Sequence, residues 1–235
     1  MRDPDFKFRQ FSIWQDRCAM KVGTDGVLLG AWADLAGCTK ILDIGTGTGL
    51  LALMAAQRVP EAIVTAVEID PEAASQAAGN IAASPWKDRI NVVSADIREY
   101  RPGISFDAIL CNPPYFRNSL RCPDKSRSTA RHGDTLSFEE LALSVQEMLS
   151  PDGHFHVVLP YEAVPDFIKA SSACGLQLHR QTDVRTKAGK QIKRSLLESG
   201  KLYRMFRHDE ITITDNTGYE SDEYVNLVKN FYIKY

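Results

Sequence analysis

Short apolar runs alternate with helical segments over the first 175 residues of the chain. Runs rich in β-branched and other apolar residues predict buried strands at 40–44, 62–69, 90–95, 106–111 and 154–160. Apolar spacing, capping residues and a proline in a first turn predict helices within 24–35 and over 49–58, 71–83, 137–149 and about 161–174. Alternation at this spacing is typical of right-handed βαβ units. We therefore predict a doubly wound α/β fold with a mostly parallel sheet.

The pattern changes after residue 176. Two strand-like runs, at 176–184 and 202–214, lie on either side of a basic loop and bring the predicted sheet to seven strands. No repeat or Gly/Ser-rich linker divides the chain. We expect one domain over 1–235, which consists of an N-terminal extension and helix (1–36), a cofactor-binding core (37–175) and C-terminal strands with a basic loop (176–235).

Composition narrows the class of protein. The chain has 235 residues, of which 44% are hydrophobic and 25% charged, as in an ordinary globular protein. Its five cysteines form no C-x-x-C pair, which argues against a disulfide framework or a zinc site and favours a reducing compartment. The stretch 44–57 is uncharged but contains three glycines, so it is no membrane span, and the N-terminus lacks a signal peptide. We expect a soluble cytoplasmic monomer that binds no metal and no membrane.

The charge of the chain is unevenly distributed. The net charge is −2, yet residues 179–208 carry nine basic and two acidic side chains, and residues 117–132 carry five basic and one acidic. Such asymmetry indicates a basic surface that meets a polyanion while the remainder stays acidic.

The segment 41–50, ILDIGTGTGL, is the most informative part of the chain. It predicts a strand that enters a glycine-rich turn and then a helix, where the backbone can approach a ligand closely. Its spacing is G-x-G-x-G rather than the dinucleotide G-x-G-x-x-G, and Asp43 stands two residues before Gly45. A carboxylate there would repel a pyrophosphate but suits an ammonium group. S-adenosylmethionine carries an ammonium group and a sulfonium cation.

Two further acids follow the next two strands. Glu68 ends the second strand, where it can accept hydrogen bonds from ribose hydroxyls. Asp96 follows the third strand, where it can take the adenine amino group, and Ile69 and Ile97 are apolar neighbours of the ring. Three acids at the ends of three successive strands predict a site for S-adenosylmethionine.

The fourth strand runs directly into Asn112-Pro113-Pro114-Tyr115. Two prolines make a stiff turn that can hold two acceptors still, namely the Asn112 amide oxygen and the Pro113 carbonyl. Hydrogen bonds from both hydrogens of a conjugated amino group favour a pyramidal nitrogen, whose lone pair can then take a methyl group. Catalysis would then depend on positioning and preorganised electrostatics, without a dedicated general base. Tyr115 offers a stacking face for a base that is unpaired or flipped out.

These motifs together resemble those of the class I S-adenosylmethionine-dependent methyltransferases. The NPPY motif looks like the signature of the members that methylate amino groups. The resemblance implies strand order 3-2-1-4-5-7-6. The segment KVGTDGVLLGAW at 21–32, the start with Phe6, Phe8 and Phe11, and the VEID and NPPYF motifs are similar to the bacterial tRNA1(Val) adenine-37 N6-methyltransferase family. By this resemblance the Gly23–Leu29 turn covers the cofactor, and the substrate is adenosine 37 in the anticodon loop of a valine tRNA.

The candidate site residues fall into three sets, with no metal ligand among them. The cofactor set is Gly23, Thr24, Asp25, Leu29, Asp43, Gly45, Thr46, Gly47, Gly49, Glu68, Ile69, Asp96, Ile97 and Asn112. The catalytic set is Asn112, Pro113, Pro114 and Tyr115. The RNA-binding set is Phe116, Arg117, Arg121, Lys125, Arg127, Arg131, Lys190, Lys193 and Arg194.

Other activities remain open at this point. Guanine-N2 methylation of ribosomal RNA would suit the same basic surface, and NPPY also serves protein-glutamine N5 methylation. That second class carries an extra N-terminal helical domain, whereas only 39 residues precede the first core strand here. A non-catalytic RNA-binding protein would have no need of Asp43, the glycines and Asn112, and a nicotinamide oxidoreductase would need the other glycine spacing.

Overall fold

A computed structural model describes residues 6–18, 20–113 and 136–235 of the chain. The strands are β1 Phe6–Lys7, β2 Ser12–Ile13, β3 Lys40–Ile44, β4 Ile63–Glu68, β5 Ile90–Ser94, β6 Phe106–Cys111, β7 Leu149–Pro160, β8 Gln177–Lys187, β9 Ile192–Gly200 and β10 Arg207–Thr214. The helices are α1 Thr24–Trp32, α2 Leu50–Arg58, α3 Pro71–Ala82, α4 Phe138–Met148, α5 Val164–Ala173 and α6 Asp222–Val228, with a 3₁₀ turn at Tyr161–Ala163.

Local signals in the sequence explain where the helices begin. Ser137 and Glu140 form the capping box that opens α4, with reciprocal backbone–side-chain hydrogen bonds of 3.1 and 2.7 Å. Asp70 caps α3 by accepting from the Glu72 N–H at 2.9 Å, and Pro71 occupies the first helical position. The five predicted helices are therefore confirmed, with boundaries that differ by a few residues.

Eight strands form one sheet in the order β10-β8-β9-β7-β6-β3-β4-β5. The strands from β5 to β7 are parallel, whereas β9 is antiparallel to both β7 and β8. Helices α1, α2 and α3 bury apolar side chains on one face, and α4 and α5 do so on the other. The predicted doubly wound α/β fold is confirmed. Because β3, β4, β5 and β6 are parallel, their carboxyl ends lie along one edge, where ligands bind in such sheets.

The prediction of two C-terminal strands, at 176–184 and 202–214, missed one strand. The stretch between 184 and 202 contains β9, which lies between β7 and β8, and the run at 202–214 forms an eighth strand at the edge. Strand β9 shows no alternation because its residues from Ser195 to Gly200 are all buried. Two of its polar side chains are partnered inside the protein: Ser195 donates to Asp183 at 2.6 Å, and Glu198 lies 2.7 Å from His154, whereas the buried Ser199 Oγ has no partner in the described chain. A polar stretch that finds its partners inside the fold therefore looks like a loop in the sequence.

Aromatic residues join the two ends of the described chain. The Phe8 ring stacks on Phe11 at 4.5 Å and on Tyr232 at 5.8 Å, and the Arg9 N–H donates to the Phe231 carbonyl at 2.8 Å. This contact lies beside α6, a short helix that the sequence pattern did not predict. Among the described residues, no helix is both long and apolar enough to cross a membrane.

Candidate functional site

A cavity of about 290 Å³ opens beyond the carboxyl ends of the central parallel strands. This volume is close to the lower end of the range of about 300–1,000 Å³ for small-molecule sites. Nine predicted cofactor residues contribute to its wall: Gly23, Gly45, Thr46, Gly47, Glu68, Ile69, Asp96, Ile97 and Asn112. The wall also contains Cys18, Met20, Lys21, Val22, Gly26, Asp70, Ala73, Arg98 and Leu136, which were not predicted.

The glycine-rich turn between β3 and α2 forms the floor of the cavity. Gly45, Gly47 and Gly49 have φ values of 67°, 54° and 85°, in the left-handed region that side chains disfavour. The Gly45 N–H donates to the Val67 carbonyl at 2.9 Å, which fastens the turn to β4. The three glycines are therefore required by the backbone path, and Gly49 itself caps α2 rather than lining the cavity.

Glu68 connects the turn with the next loop. Its Oε2 accepts from the Gly47 N–H at 2.8 Å, and its Oε1 accepts from the Asp70 N–H at 3.1 Å. Only 8% of the residue is exposed, and it lines the cavity. Each carboxylate oxygen can accept a second hydrogen bond, so the side chain is fixed and still able to bind two hydroxyl groups.

Asp43 lies directly beneath the turn and is fully buried. Its Oδ2 accepts from the Thr46 hydroxyl at 2.5 Å and from the Ala52 N–H at 3.1 Å, whereas its buried Oδ1 has no partner among the described residues. Burial raises the pKa of the Asp43 carboxyl to about 7, although both hydrogen bonds oppose this rise. Asp43 does not line the cavity itself but supports Thr46, which does.

The Asp43 pKa predicts a pH-dependent stability. Folded Asp43 holds its proton more tightly than unfolded aspartate, so its stabilisation is complete below pH ~3.9 and is lost as the pH rises through about 7. We expect the Tm of Asp43→Asn to rise relative to wild type between pH 5 and pH 8. Over this pH range the stabilisation that wild type loses is about 2–3 kcal/mol, which corresponds to a Tm difference of roughly 5–10 °C for a domain of this size. Thermal unfolding at several pH values measures this difference, and parallel profiles would contradict the raised pKa.

Asp96 is held by an ion pair that the sequence did not reveal. Arg98 donates to both of its oxygens, with the closest contact 2.6 Å from Nη2 to Oδ2, and this pairing lowers the pKa of Asp96. Arg98 also approaches Glu140 at 3.4 Å, which ties the cavity wall to the first turn of α4. Asp96 is thus ionised and oriented, and its neighbour Ile97 is buried whereas Ile69 is 54% exposed.

Asn112 follows directly on β6 and faces the cavity. Its Nδ2 lies 3.8 Å from the Met20 sulfur, and its buried Oδ1 has no partner within the described segments. Pro113 is also buried, whereas Pro114 and Tyr115 lie outside the described residues. A buried amide oxygen without a partner is unfavourable unless a ligand donates to it.

Helix α1 brings the N-terminal segment over the cavity. A Cβ atom on Gly26 would lie 2.9 Å from Leu50 Cδ2, and one on Gly30 would lie 2.6 Å from the Met54 sulfur. The two glycines therefore allow α1 to pack closely on α2. From this part of the chain, the wall is formed by the residues just before α1, Gly23 among them, and by Gly26.

Three predicted cofactor residues on α1 do not line the cavity: Thr24, Asp25 and Leu29. Leu29 is completely buried in the core, because the apolar face of α1 packs towards the sheet. Asp25 accepts from Arg194 Nε at 2.7 Å, which joins α1 to β9. These positions support the cavity from outside.

Comparison with known proteins identifies the family. Residues 26–162 match the model of the methyltransferase small domain. A tRNA1(Val) (adenine(37)-N6)-methyltransferase of Phocaeicola vulgatus is 49% identical over 233 residues, which are 99% of each chain. Enzymes of the same name from Bacteroides fragilis and Pseudoalteromonas translucida are 48% and 43% identical, over 100% and 97% of this chain. The chain belongs to the tRNA1(Val) (adenine(37)-N6)-methyltransferase family.

Solved structures of more distant proteins share the fold of this methyltransferase family member. A predicted O-methyltransferase from Agrobacterium tumefaciens superposes with a TM-score of 0.68 at 20% identity, over 88% of this chain and 96% of that one. The glycopeptide N-methyltransferase MtfA, solved in complex with S-adenosylmethionine, gives a TM-score of 0.55 at 17% identity, over 77% and 100% of the two chains. At such identities the likeness concerns the α/β fold alone.

The residues predicted to bind RNA lie in two segments of the chain. Phe116, Arg117, Arg121, Lys125, Arg127 and Arg131 lie outside the described residues. Lys190 and Lys193 are exposed in and beside the turn that joins β8 to β9. Arg194 is half-buried and pairs with Asp25, so its side chain is partly committed to the fold.

Proposed function

We propose that this chain methylates the N6 amino group of adenine 37 in tRNA1(Val), with S-adenosylmethionine as methyl donor. The observation that carries the proposal is the buried, unpartnered Asn112 Oδ1 at the wall of a cavity that Glu68 and Asp96 also line. Two full-length relatives, 49% and 48% identical to this chain, are named tRNA1(Val) (adenine(37)-N6)-methyltransferases and support the choice of substrate.

The side chains that line the cavity are chemically suited to bind S-adenosylmethionine. The partly buried carboxylate of Glu68 would accept from the ribose hydroxyls, and that of Asp96 from the adenine amino group, with Ile69 and Ile97 beside the ring. Asp43 does not line the cavity, but in its ionised form it would attract the ammonium end from beneath the turn. When bound, the cofactor supplies a methyl group on a sulfonium centre, which is already strongly activated.

Asn112 and Pro113 would hold the acceptor nitrogen. The Asn112 amide oxygen and the Pro113 carbonyl can each accept one hydrogen of an exocyclic amino group, which orients the nitrogen and raises its electron density. The described part of the cavity wall offers acceptors but no histidine, so the residues act by positioning rather than as a general base. Pro114, Tyr115 and Phe116 continue this proposed contact with the base.

The tRNA would approach across the basic side of the molecule. Lys190 and Lys193, at the turn joining β8 and β9, are proposed to contact phosphates of the anticodon stem-loop together with the basic residues between 117 and 131. Strand β9 begins beside this turn and carries Arg194 next to α1, so the turn lies on the cavity side of the sheet. We further propose that the protein acts as a monomer in the cytoplasm, consistent with the free thiols of Cys18, Cys38, Cys111 and Cys174.

The direct test is methyl transfer in vitro. The protein is incubated with labelled S-adenosylmethionine and unmodified bulk tRNA, and the digested nucleosides are analysed by mass spectrometry. We expect N6-methyladenosine, mapped to position 37 of tRNA1(Val) and absent from an adenine-37→guanine transcript. N2-methylguanosine in ribosomal RNA, or methylated glutamine in peptides, would overturn the proposal in favour of the corresponding activity.

The phosphate contacts predict a salt-dependent affinity. Lys193→Glu should weaken tRNA binding and reduce the slope of log K against log salt by about 1, because one phosphate contact is lost. Lys87→Glu is a matched control, since Lys87 is exposed before β5 at the opposite edge of the sheet. Filter binding of tRNA at several salt concentrations measures both slopes. Equal slopes for the two variants would remove Lys193 from the RNA interface.

A further inference from the structure

Three neighbouring strands bring two histidines and a glutamate together inside the sheet. His154 on β7, His179 on β8 and Glu198 on β9 each offer one ligand atom, and these atoms lie within 4.8 Å of one another. Glu198 and His179 are each 4% exposed, so the group is enclosed. Its members are 19 to 44 residues apart in the chain and form no metal-binding motif, which is why the sequence indicated no metal site.

Hydrogen bonding defines which nitrogen of His179 is free. Its Nε2 lies 2.8 Å from the Leu202 carbonyl oxygen, which can only accept, so Nε2 carries the proton. Nδ1 then presents a lone pair. It is buried, has no hydrogen-bond partner in the described chain, and lies 3.9 Å from Glu198 Oε1. Two acceptors face each other at a distance that a shared cation would bridge.

We propose that His154, His179 and Glu198 bind one divalent transition-metal ion, with Zn²⁺ the best match. Two imidazoles and one carboxylate are a ligand set that suits this class of ion and leave a coordination position for water. The ion would stand between His179 Nδ1 and Glu198 Oε1. It would also replace the Nδ1 proton of His154, which now lies in the 2.7 Å contact with Glu198, and that proton would be released to solvent.

The outer contact of His179 also favours a bound ion. The bond from His179 Nε2 to a backbone carbonyl is the usual outer contact that orients a metal-bound histidine.

The proposed ion lies away from the methyl-transfer cavity. His154 is level with Ala108, three residues before the carboxyl end of β6, whereas the cavity opens beyond that end. An ion there would fasten β7, β8 and β9 to one another, which is a structural role. We therefore expect it to raise the Tm while leaving the initial rate of methyl transfer nearly unchanged.

The experiment uses full-length protein freed of metal with a chelator. We expect one Zn²⁺ or Co²⁺ per chain, a higher Tm, and a Co²⁺ absorption spectrum without the near-ultraviolet thiolate charge-transfer band that cysteine ligands would add. Glu198→Gln should weaken binding by about 100-fold or more, since loss of an outer-shell contact alone costs up to about that much. His208→Gln is the control, because His208 is half-exposed and pairs with Asp183 outside the cluster.

A second measurement does not depend on a variant that folds. Long-range proton–nitrogen NMR of the imidazoles in wild-type protein should show two of the five histidines shifting with one equivalent of Zn²⁺, and assignment should identify His154 and His179. No binding, a thiolate band, unchanged affinity in Glu198→Gln, or shifts centred on His208 would each overturn the metal site. In that case the group is a metal-free His–Glu pair.

Discussion

Asn112→Ala is expected to lower kcat for methyl transfer about 100- to 1,000-fold, the usual cost of removing one preorganised polar group from a reacting centre. The physical reason is the loss of the Asn112 Oδ1 acceptor, which is buried at the cavity wall without a described partner. Binding of S-adenosylmethionine should remain close to wild type, because Glu68, Asp96 and the glycine turn are untouched. Calorimetric binding and steady-state kinetics with tRNA measure the two effects separately.

The control for this variant is Asn91→Ala. Asn91 is an exposed asparagine on β5 of the same sheet, so its loss tests the general effect of removing an amide from a strand region. We expect it to retain full activity. If Asn112→Ala instead lost cofactor binding and methyl transfer in parallel, Asn112 would be a cofactor ligand and the proposed grip on the amino group would be wrong.

The core of the fold was predictable because its signals are local. A strand such as β6, FDAILC, is recognised from an apolar run that only Asp107 interrupts, and α4 from the capping box at Ser137 and Glu140. The same holds for the positions of Glu68 and Asp96, because parallel strands put their carboxyl ends at one edge. These features need no knowledge of the tertiary partners.

What escaped prediction depends on partners distant in the chain. Strand β9 is buried with polar residues, of which Ser195 and Glu198 have partners on β8 and β7, so its pattern resembles a loop. Arg98 and Met20 were not recognised as wall residues because nothing in their own neighbourhood marks them. The His154–His179–Glu198 cluster is assembled only by the sheet register.

The basic surface predicted from the charge count also needs correction, because ion pairs between distant residues change it. The excess of basic residues in 179–208 led to the prediction of a wide basic surface, but three of the arginines pair with acids outside that window. Arg180 pairs with Asp209, Arg185 with Glu210 and Arg194 with Asp25. The exposed basic side chains that remain in this window are Lys187, Lys190 and Lys193 around the turn that joins β8 and β9, and Arg204 and Arg207 just before and at the start of β10.

Glu68→Ala is expected to weaken S-adenosylmethionine binding by about 100-fold or more, because two hydrogen bonds to a carboxylate, each worth about 1.5–3 kcal/mol, would be lost. The carboxylate also holds the Gly47 and Asp70 N–H groups, so the variant alone cannot separate a binding role from support of the loop. Glu61→Ala, an exposed acid just before the same strand, is the matched control and should bind normally.

A ligand-based double-mutant cycle separates the two roles of Glu68. Wild type is compared with Glu68→Ala for binding of S-adenosylhomocysteine and of its 2′,3′-dideoxy analogue. If Glu68 binds the ribose, wild type should prefer the hydroxylated ligand strongly and the variant should lose that preference. A variant that binds both ligands weakly but still discriminates between them would show that Glu68 only supports the turn, and that the ribose hydroxyls are bound by another residue of the wall.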